Sequence, residues 1–465
     1  MVRVLLLSTY ELGRQPFGLA SPAAWLRQEG FEVTTIDLSR TRLDDSHVVG
    51  AGLIGLYLPM HTATRLALPV IDRLTALNPG AHRCAFGVYA LPNRELLASR
   101  GVQTVLGGEF EADLLALAHA VMRGAPLAEP LEMSGSVVPH LAFRVPDRTS
   151  LPPLDQYAGL MWPDGTRRVV GYTETTRGCK HLCRHCPVVP IYEGRFRVVD
   201  VDVVMADIRN QVAAGASHIS FGDPDFWNGI GHARKVVAAL ASEFPALTYD
   251  VIIKIEHLRR HADDLPRLRE TGCAFVTSAV ESVDDEVLRQ LEKGHTRADV
   301  EWVAGRMRET GLPLSPTFVA FTPWMTPAGY RDLLKTMDRL ELAEHVAPIQ
   351  WAIRLLIPHG SRLLALPDIE ACREPFDPAA LAYPWRHADR RMDDLQRQVM
   401  ALVEARAGAP RAEIFAEVCA AAAAIDGTPI WPRISAAGVD RAALPFATEP
   451  WYCCAEPSEA QMAQV

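Results

Sequence analysis

Three cysteines, Cys179, Cys183 and Cys186, stand in the spacing C-x3-C-x2-C. They lie within Gly178-Cys179-Lys180-His181-Leu182-Cys183-Arg184-His185-Cys186-Pro187, directly after a strand-like run. Three thiolates on one tight loop can ligate three irons of a cubane iron–sulfur cluster. The fourth iron then lacks a protein ligand, and an open position on a metal centre is where a substrate or co-substrate coordinates. The competing chemistry is zinc, held by two of these cysteines with His181 or His185. That alternative needs a second, separated ligand couple, and none is expected elsewhere in the chain.

Further segments follow the cysteines in a telling order. Phe221-Gly222-Asp223-Pro224-Asp225-Phe226 ends the next strand-like run. Ala279-Val280-Glu281-Ser282 is followed by Leu291-Glu292-Lys293-Gly294-His295, and then by Val319-Ala320-Phe321-Thr322-Pro323. Together with the cysteines these segments resemble the radical S-adenosylmethionine (SAM) superfamily. The resemblance implies a [4Fe-4S] cluster on Cys179, Cys183 and Cys186, with SAM chelating the open iron through its amino and carboxylate groups. One electron from the cluster would cleave the sulfonium to a carbon radical. Gly222 and Asp223 stand where the family's GGE-type motif receives the SAM amino group. Glu281 and Ser282 stand where its fourth strand meets ribose and carboxylate, and residues 319–323 resemble the segment approaching the adenine. Glu256, after the third strand, is a further SAM neighbour, or a helix-cap or solvent carboxylate. Arg354, on the sixth-strand pattern, contacts SAM or forms an ion pair. An electron donor such as flavodoxin or ferredoxin is the implied protein partner.

The elements that must position these residues are alternating strands and helices, as in an α/β protein. Residues 1–125 read as a doubly wound parallel sheet. Its strands are expected at Val2–Ser8, Phe31–Asp37, Gly52–Pro59, Arg83–Tyr89 and Thr104–Leu106, and its helices at Pro22–Gln28 and Leu66–Leu77, with Pro69 near the first turn. Residues 126–170 are proline-rich without a period and read as a surface linker. Residues 171–365 form a second series, predicted as a partial (β/α) barrel. Its strands fall at His218–Phe221, Tyr249–Lys254, Ala274–Val280, Ser315–Phe321 and Ile349–Leu356. Val203–Ala213, Leu265–Thr271 and Asp284–Glu292 read as its helices. Residues 366–465 are mostly helical, with one stripe at Met392, Leu395, Val399, Leu402 and Val403, a second helix at Arg411–Ala424, and a cysteine-bearing tail.

The first of these regions resembles the cobalamin-binding domain that precedes many radical SAM domains. Gly55–Pro59, Phe86–Tyr89 and Gly107-Gly108-Glu109-Phe110-Glu111 carry that resemblance, the last matching an rGEGE ending. Asp45-Ser46-His47-Val48-Val49-Gly50 also fits D-x-H-x-x-G, the signature of a cobalt-ligating histidine, but it precedes the third strand instead of following the first. We read His47 as an ordinary surface histidine on a helix. The sheet then either holds cobalamin without a protein histidine on cobalt or remains as a scaffold without the cofactor.

The tail, Trp451-Tyr452-Cys453-Cys454-Ala455-Glu456-Pro457, resembles the radical SAM subfamily named for its CUAEP or CCAEP ending. Adjacent thiols at Cys453 and Cys454 suit a soft centre such as trivalent arsenic, or a dithiol–disulfide cycle. Three functions remain open: methyl or alkyl transfer to an acceptor handled by the tail (a metalloid or a selenium or sulfur compound); hydrogen abstraction from a small organic or peptide substrate with the tail as redox relay; or a non-catalytic metal- or cobalamin-binding protein. The 9 cysteines are odd in number, which argues against a disulfide framework. Cys84, Cys273, Cys372 and Cys419 read as small buried hydrophobes. A net charge of -9 argues against a general nucleic-acid or anionic-membrane surface. No apolar run approaches a membrane span, and a cytoplasmic protein acting on a small-molecule substrate is expected.

Overall fold

The computed structural model describes residues 2–124, 138–425, 427–429 and 442–449. The first parallel sheet is built from short apolar strands, β1 (Arg3–Ser8), β2 (Glu32–Asp37), β3 (Leu53–Tyr57), β4 (His82–Phe86) and β5 (Thr104–Leu106), in the order β2-β1-β3-β4-β5. Alternation sends Leu5 and Leu7 to one core layer and Val4 and Leu6 to the other. Helices 17–28 and 111–122 cover the second layer, and helices 61–77 and 94–99 cover the first. A strand buried on both faces must be apolar at consecutive positions, which is why β1 and β3 read as continuous runs.

Two helices begin earlier than expected. The first starts at Phe17, so Pro22 lies inside it, and burial of Phe17, Leu19 and Ala20 recruits the preceding turn. The other starts at His61, which places Pro69 in its interior instead of its first turn. Residues 138–170 are the described part of the expected linker. They contain a 3-10 turn at Leu154–Gln156 and the short strands β6 (Leu160–Met161) and β7 (Arg167–Arg168). Arg148 pins this stretch by donating to Gln15, to the Tyr172 carbonyl and to both oxygens of Asp207.

β8 (Val170–Thr173) opens the second sheet. A small antiparallel pair, β9 (Thr176–Gly178) and β10 (Phe196–Val198), then brackets the cysteine loop. β11 (His218–Phe221), β12 (Thr248–Ile252), β13 (Cys273–Glu281) and β14 (Leu314–Phe318) complete a five-stranded parallel sheet in the order β14-β13-β12-β11-β8. Helices 201–213, 230–243, 265–270, 297–310 and 327–339 alternate with these strands. The expected strand Ile349–Leu356 does not form. Pro348–Trp351 is a 3-10 turn, and only Arg354 pairs, through a single bridge to Phe321. Pro348 lacks the donor a strand needs and suits the first position of a turn, while Trp351 is buried against Phe318 and Phe415. Helices 390–405 and 411–424 share the core of this second sheet through Met392, Leu395, Val399, Ile414 and Phe415, with Leu402 only half-buried. β15 (Phe446–Ala447) pairs with β6. Among the described residues no helix is long and apolar enough to cross a membrane.

Candidate active site at the cysteine loop

The loop from Cys179 to Cys186 is tied at its base by the β9–β10 pair, in which Gly178 faces Phe196. Gly178 has φ +76°, and a Cβ there would meet the Tyr192 ring at 2.3 Å and the Arg195 carbonyl at 2.6 Å. Only glycine fits immediately before the first cysteine. Asn228 accepts from the Lys180 amide (3.2 Å) and donates to the Gly178 carbonyl (3.2 Å). The far side of the loop is held by the Arg184 amide on the Leu291 carbonyl (3.0 Å) and by Arg362 on the Leu182 carbonyl (2.6 Å).

Cys179 and Cys183 are buried and Cys186 is half-buried. Burial pushes the Cys179 thiol up to about 11 and the Cys186 thiol up to about 12. Such thiols ionise when a cation takes up the thiolate. Cationic groups are in place: buried Lys254 donates to Cys183 Sγ (3.6 Å), and buried Lys293 lies in the field of Cys183 and Cys186. The thiols do not join the set of described His, Cys, Asp and Glu ligand atoms that converge within 4.8 Å of one another. A single zinc ion needs such convergence, whereas a cubane spreads its thiolates over separate irons. The donor set therefore fits an iron–sulfur cluster.

The remaining sequence-derived residues divide by what they touch. Glu281 sits at the end of β13 with φ +66°, beside a register shift in the β13–β14 ladder. Its carboxylate accepts from Lys293 (3.3 Å) and lies 3.1 Å from Nε2 of His185, on the cysteine loop. Burial would raise its pKa, but Lys293 and His185 hold it down at about 2. Ser282 is fully buried, and its hydroxyl accepts from the Asp284 amide (3.1 Å). Gly222 lies under the Tyr172 hydroxyl, 2.0 Å from where a Cβ would stand. Asp223 is fully buried and accepts from the Thr175 amide and from the hydroxyls of Thr175 and Thr176. It thus braces the segment that leads into the loop. Glu256 pairs with Arg260 (2.6 Å), Lys254 (3.7 Å) and His181 (3.5 Å). Arg354 donates to Asp393 (2.7 Å) and the Trp385 carbonyl (2.6 Å), and lies over the Trp385 ring. Cys453 and Cys454 lie outside the described residues.

Three features escaped the sequence reading. Lys254 carries no motif. Arg177, next to Gly178, is buried and pairs with Glu109 (3.2 Å), Glu111 (2.6 Å) and Glu174 (2.8 Å). The glutamates read as a cofactor-domain ending therefore anchor the first sheet to the base of the cysteine loop. The expectation of no second ligand couple was wrong: His257 and His261 stand in H-x3-H spacing, and His257 packs against His181 (ring centroids 4.7 Å).

The order of the first sheet puts its topological switch between β1 and β3, where α/β sheets bind ligands. Thr9 Oγ1 donates there to the Ala63 carbonyl (2.7 Å), and the Tyr57 ring lies over Gly18. His47 is exposed on helix Asp45–Val49, which leads into the opposite, amino end of β3. Histidine ligation of cobalt from that signature does not fit.

Residues 173–340 match the model of the Radical SAM superfamily. The ribosomal protein uS12 methylthiotransferase RimO of Parabacteroides distasonis is 24% identical over 185 residues, covering 37% of this chain and 41% of that protein. The chain thus spans less than half the length of that relative. The tRNA-2-methylthio-N(6)-dimethylallyladenosine synthase of Christiangramia forsetii is 21% identical, covering 68% of this chain and 66% of that protein. Among solved structures, the radical SAM methyltransferase TsrM of Kitasatospora setae, with tryptophan and a SAM analogue bound, has a TM-score of 0.65 at 18% identity over 82% of each chain. The cobalamin-dependent SAM radical enzyme OxsB, with aqua-cobalamin and SAM bound, has a TM-score of 0.68 at 14% identity, covering 88% of this chain and 67% of that one. Both likenesses are of fold.

Proposed function

We propose that this chain, whose residues 173–340 match the Radical SAM superfamily model, is an enzyme that cleaves SAM reductively and transfers a methyl or alkyl group to an acceptor handled by Cys453 and Cys454. The observation that supports this most is the braced loop of Cys179, Cys183 and Cys186, with buried Lys254 donating to Cys183 and buried Lys293 in the field of Cys183 and Cys186. When bound, the cluster supplies the electron for sulfonium cleavage. The chain's own residues supply the rest. Lys254 and Lys293 offset the negative charge that three thiolates bring into a buried place. Glu281, kept ionised by Lys293, offers a fixed carboxylate beside His185 for a hydroxyl or amino donor of the co-substrate. Asp223 and Gly178 hold the loop's entry rigid, which would keep the cysteine ligands in one arrangement.

The acceptor chemistry rests on the paired tail thiols, which suit a soft, thiophilic centre such as trivalent arsenic or a selenium or sulfur compound. Cobalamin is a candidate carrier of the methyl group, held without His47. Anaerobic reconstitution, reduction and addition of SAM, cobalamin and arsenite test the reading, with nucleoside products identified by mass spectrometry. Arsenite-dependent methylthioadenosine or S-adenosylhomocysteine is the expected result, lost on Cys453→Ser and Cys454→Ser with the cluster retained. Formation of 5′-deoxyadenosine alone, unchanged by arsenite or by the double substitution, would replace transfer with hydrogen abstraction from an organic substrate.

A further inference from the structure

His181, Asp225 and His257 come from three segments: the cysteine loop, the turn after β11 and the helix after β12. Each is a strong ligand for a first-row divalent ion, and their ligand atoms all lie within 4.8 Å of one another. Oδ2 of Asp225 is 2.7 Å from Nδ1 of His257 and 3.3 Å from Nε2 of His181. The side chains of Asp225 and His257 are 0% exposed.

These distances resemble hydrogen bonds, but the directions do not. Oδ2 of Asp225, Nε2 of His181 and both ring nitrogens of His257 have no aligned hydrogen-bond partner. An unpaired buried polar atom is costly, and three of them, one from each residue, within 4.8 Å of one another are unlike a relaxed core. Ligand atoms this close together, none of them spent on a hydrogen bond, are free to share one ion.

The shell behind these atoms has the form that orients metal ligands. The other oxygen of Asp225 accepts from the Trp227 amide (3.0 Å), which turns Oδ2 toward the imidazoles. The other nitrogen of His181 faces the Glu256 carboxylate at 3.5 Å, a carboxylate–histidine pair of the kind that fixes tautomer and ring orientation. Two imidazoles and one carboxylate match the preferences of zinc or iron(II).

We propose that His181, Asp225 and His257 bind one divalent first-row transition ion, separate from the iron on the three cysteines. That ion clips the cysteine loop, through His181, to the carboxyl ends of β11 and β12. Its role is to hold the loop in place, and it leaves a coordination position for water.

Metal analysis of the anaerobically reconstituted full chain tests this, together with Mössbauer spectra after iron-57 loading. The expected result is one zinc per chain, or one mononuclear high-spin iron(II), beyond the four cluster irons. His181→Asn should remove that ion while cluster absorption persists. Four cluster irons with no further stoichiometric ion would overturn the proposal and leave a hydrogen-bonded network in its place. A second measurement does not depend on the cluster. The full chain with Cys179, Cys183 and Cys186 replaced by serine is titrated with cobalt(II) and followed by d–d absorption and circular dichroism. One cobalt per chain without sulfur charge-transfer bands is expected, with affinity at least tenfold weaker after His257→Gln at unchanged circular dichroism. Cobalt binding that is indifferent to both His181→Asn and His257→Gln would equally overturn it.

Discussion

Lys254 shows how much chemistry one side chain can bring to a site without a motif. Its ammonium donates to Cys183 Sγ from a buried position. A charge-assisted bond of this kind strengthens when an electron adds to the cluster behind the sulfur. Lys254→Met should therefore make the cluster harder to reduce. A loss of about 1 kcal/mol in the reduced state corresponds to a fall of roughly 40–50 mV in midpoint potential. Spectroelectrochemical titration reads the shift, and an unchanged potential would show that Lys254 serves packing alone. Glu281 makes the complementary point. Its place in an Ala-Val-Glu-Ser segment was legible from the sequence, but its charge state was not, because Lys293 and His185 reach it from different elements.

At the scale of elements, the cysteine loop works because a hairpin closes it. Two glycines separate the contributions to that closure. Gly178→Ala adds a Cβ that meets the Tyr192 ring at 2.3 Å, at a position with φ +76°. Gly215→Ala adds one at φ +98° with nothing within 4 Å. The second should cost only the left-handed penalty, about 1–2 kcal/mol, and leave iron content unchanged. The first should cost about 2–4 kcal/mol and lower the iron held per chain. Denaturant unfolding and iron analysis on both variants check this; equal costs with equal iron would mean that the hairpin does not constrain the loop. The strands β11 to β14 were largely readable from period and composition. The failed sixth strand was not, since Pro348 and the burial of Trp351 override a β-branched and aromatic run.

At the scale of the molecule, one buried guanidinium joins the two sheets. Arg177→Met would strand Glu109 and Glu111 without their partner, and breaking a buried pair in this way costs about 3–5 kcal/mol. Adding Glu111→Gln should recover part of that loss in thermal unfolding. The same interface sets a pH dependence. Burial raises Glu11 to about 8, with Glu174 adding to the rise, Arg14 opposing it and Asp37 adding slightly; burial raises Glu174 to about 7 despite Arg177. Folded carboxyls that keep their protons above the unfolded pKa stabilise the fold at low pH. That contribution is full below about 4.5 and is lost as pH rises through about 7 and 8. The melting temperature should fall between pH 5.5 and 8.5, and Glu11→Gln should flatten the slope. An unaltered slope in that variant would place the titrating group elsewhere.

The sequence by itself determined what is local. The C-x3-C-x2-C spacing, the strand and helix periods and the small residue before Cys179 each lie within a few positions, where side-chain type and backbone preference suffice, and the order of the motifs is read directly along the chain. Only the tertiary structure decided what converges. Parallel strands bring residues dozens of positions apart to one edge, so the meeting of Lys254 with Cys183, of Glu109 and Glu111 with Arg177, and of His181 with Asp225 and His257 depends on strand order and register. Those are properties of the packed core, and no single segment carries them.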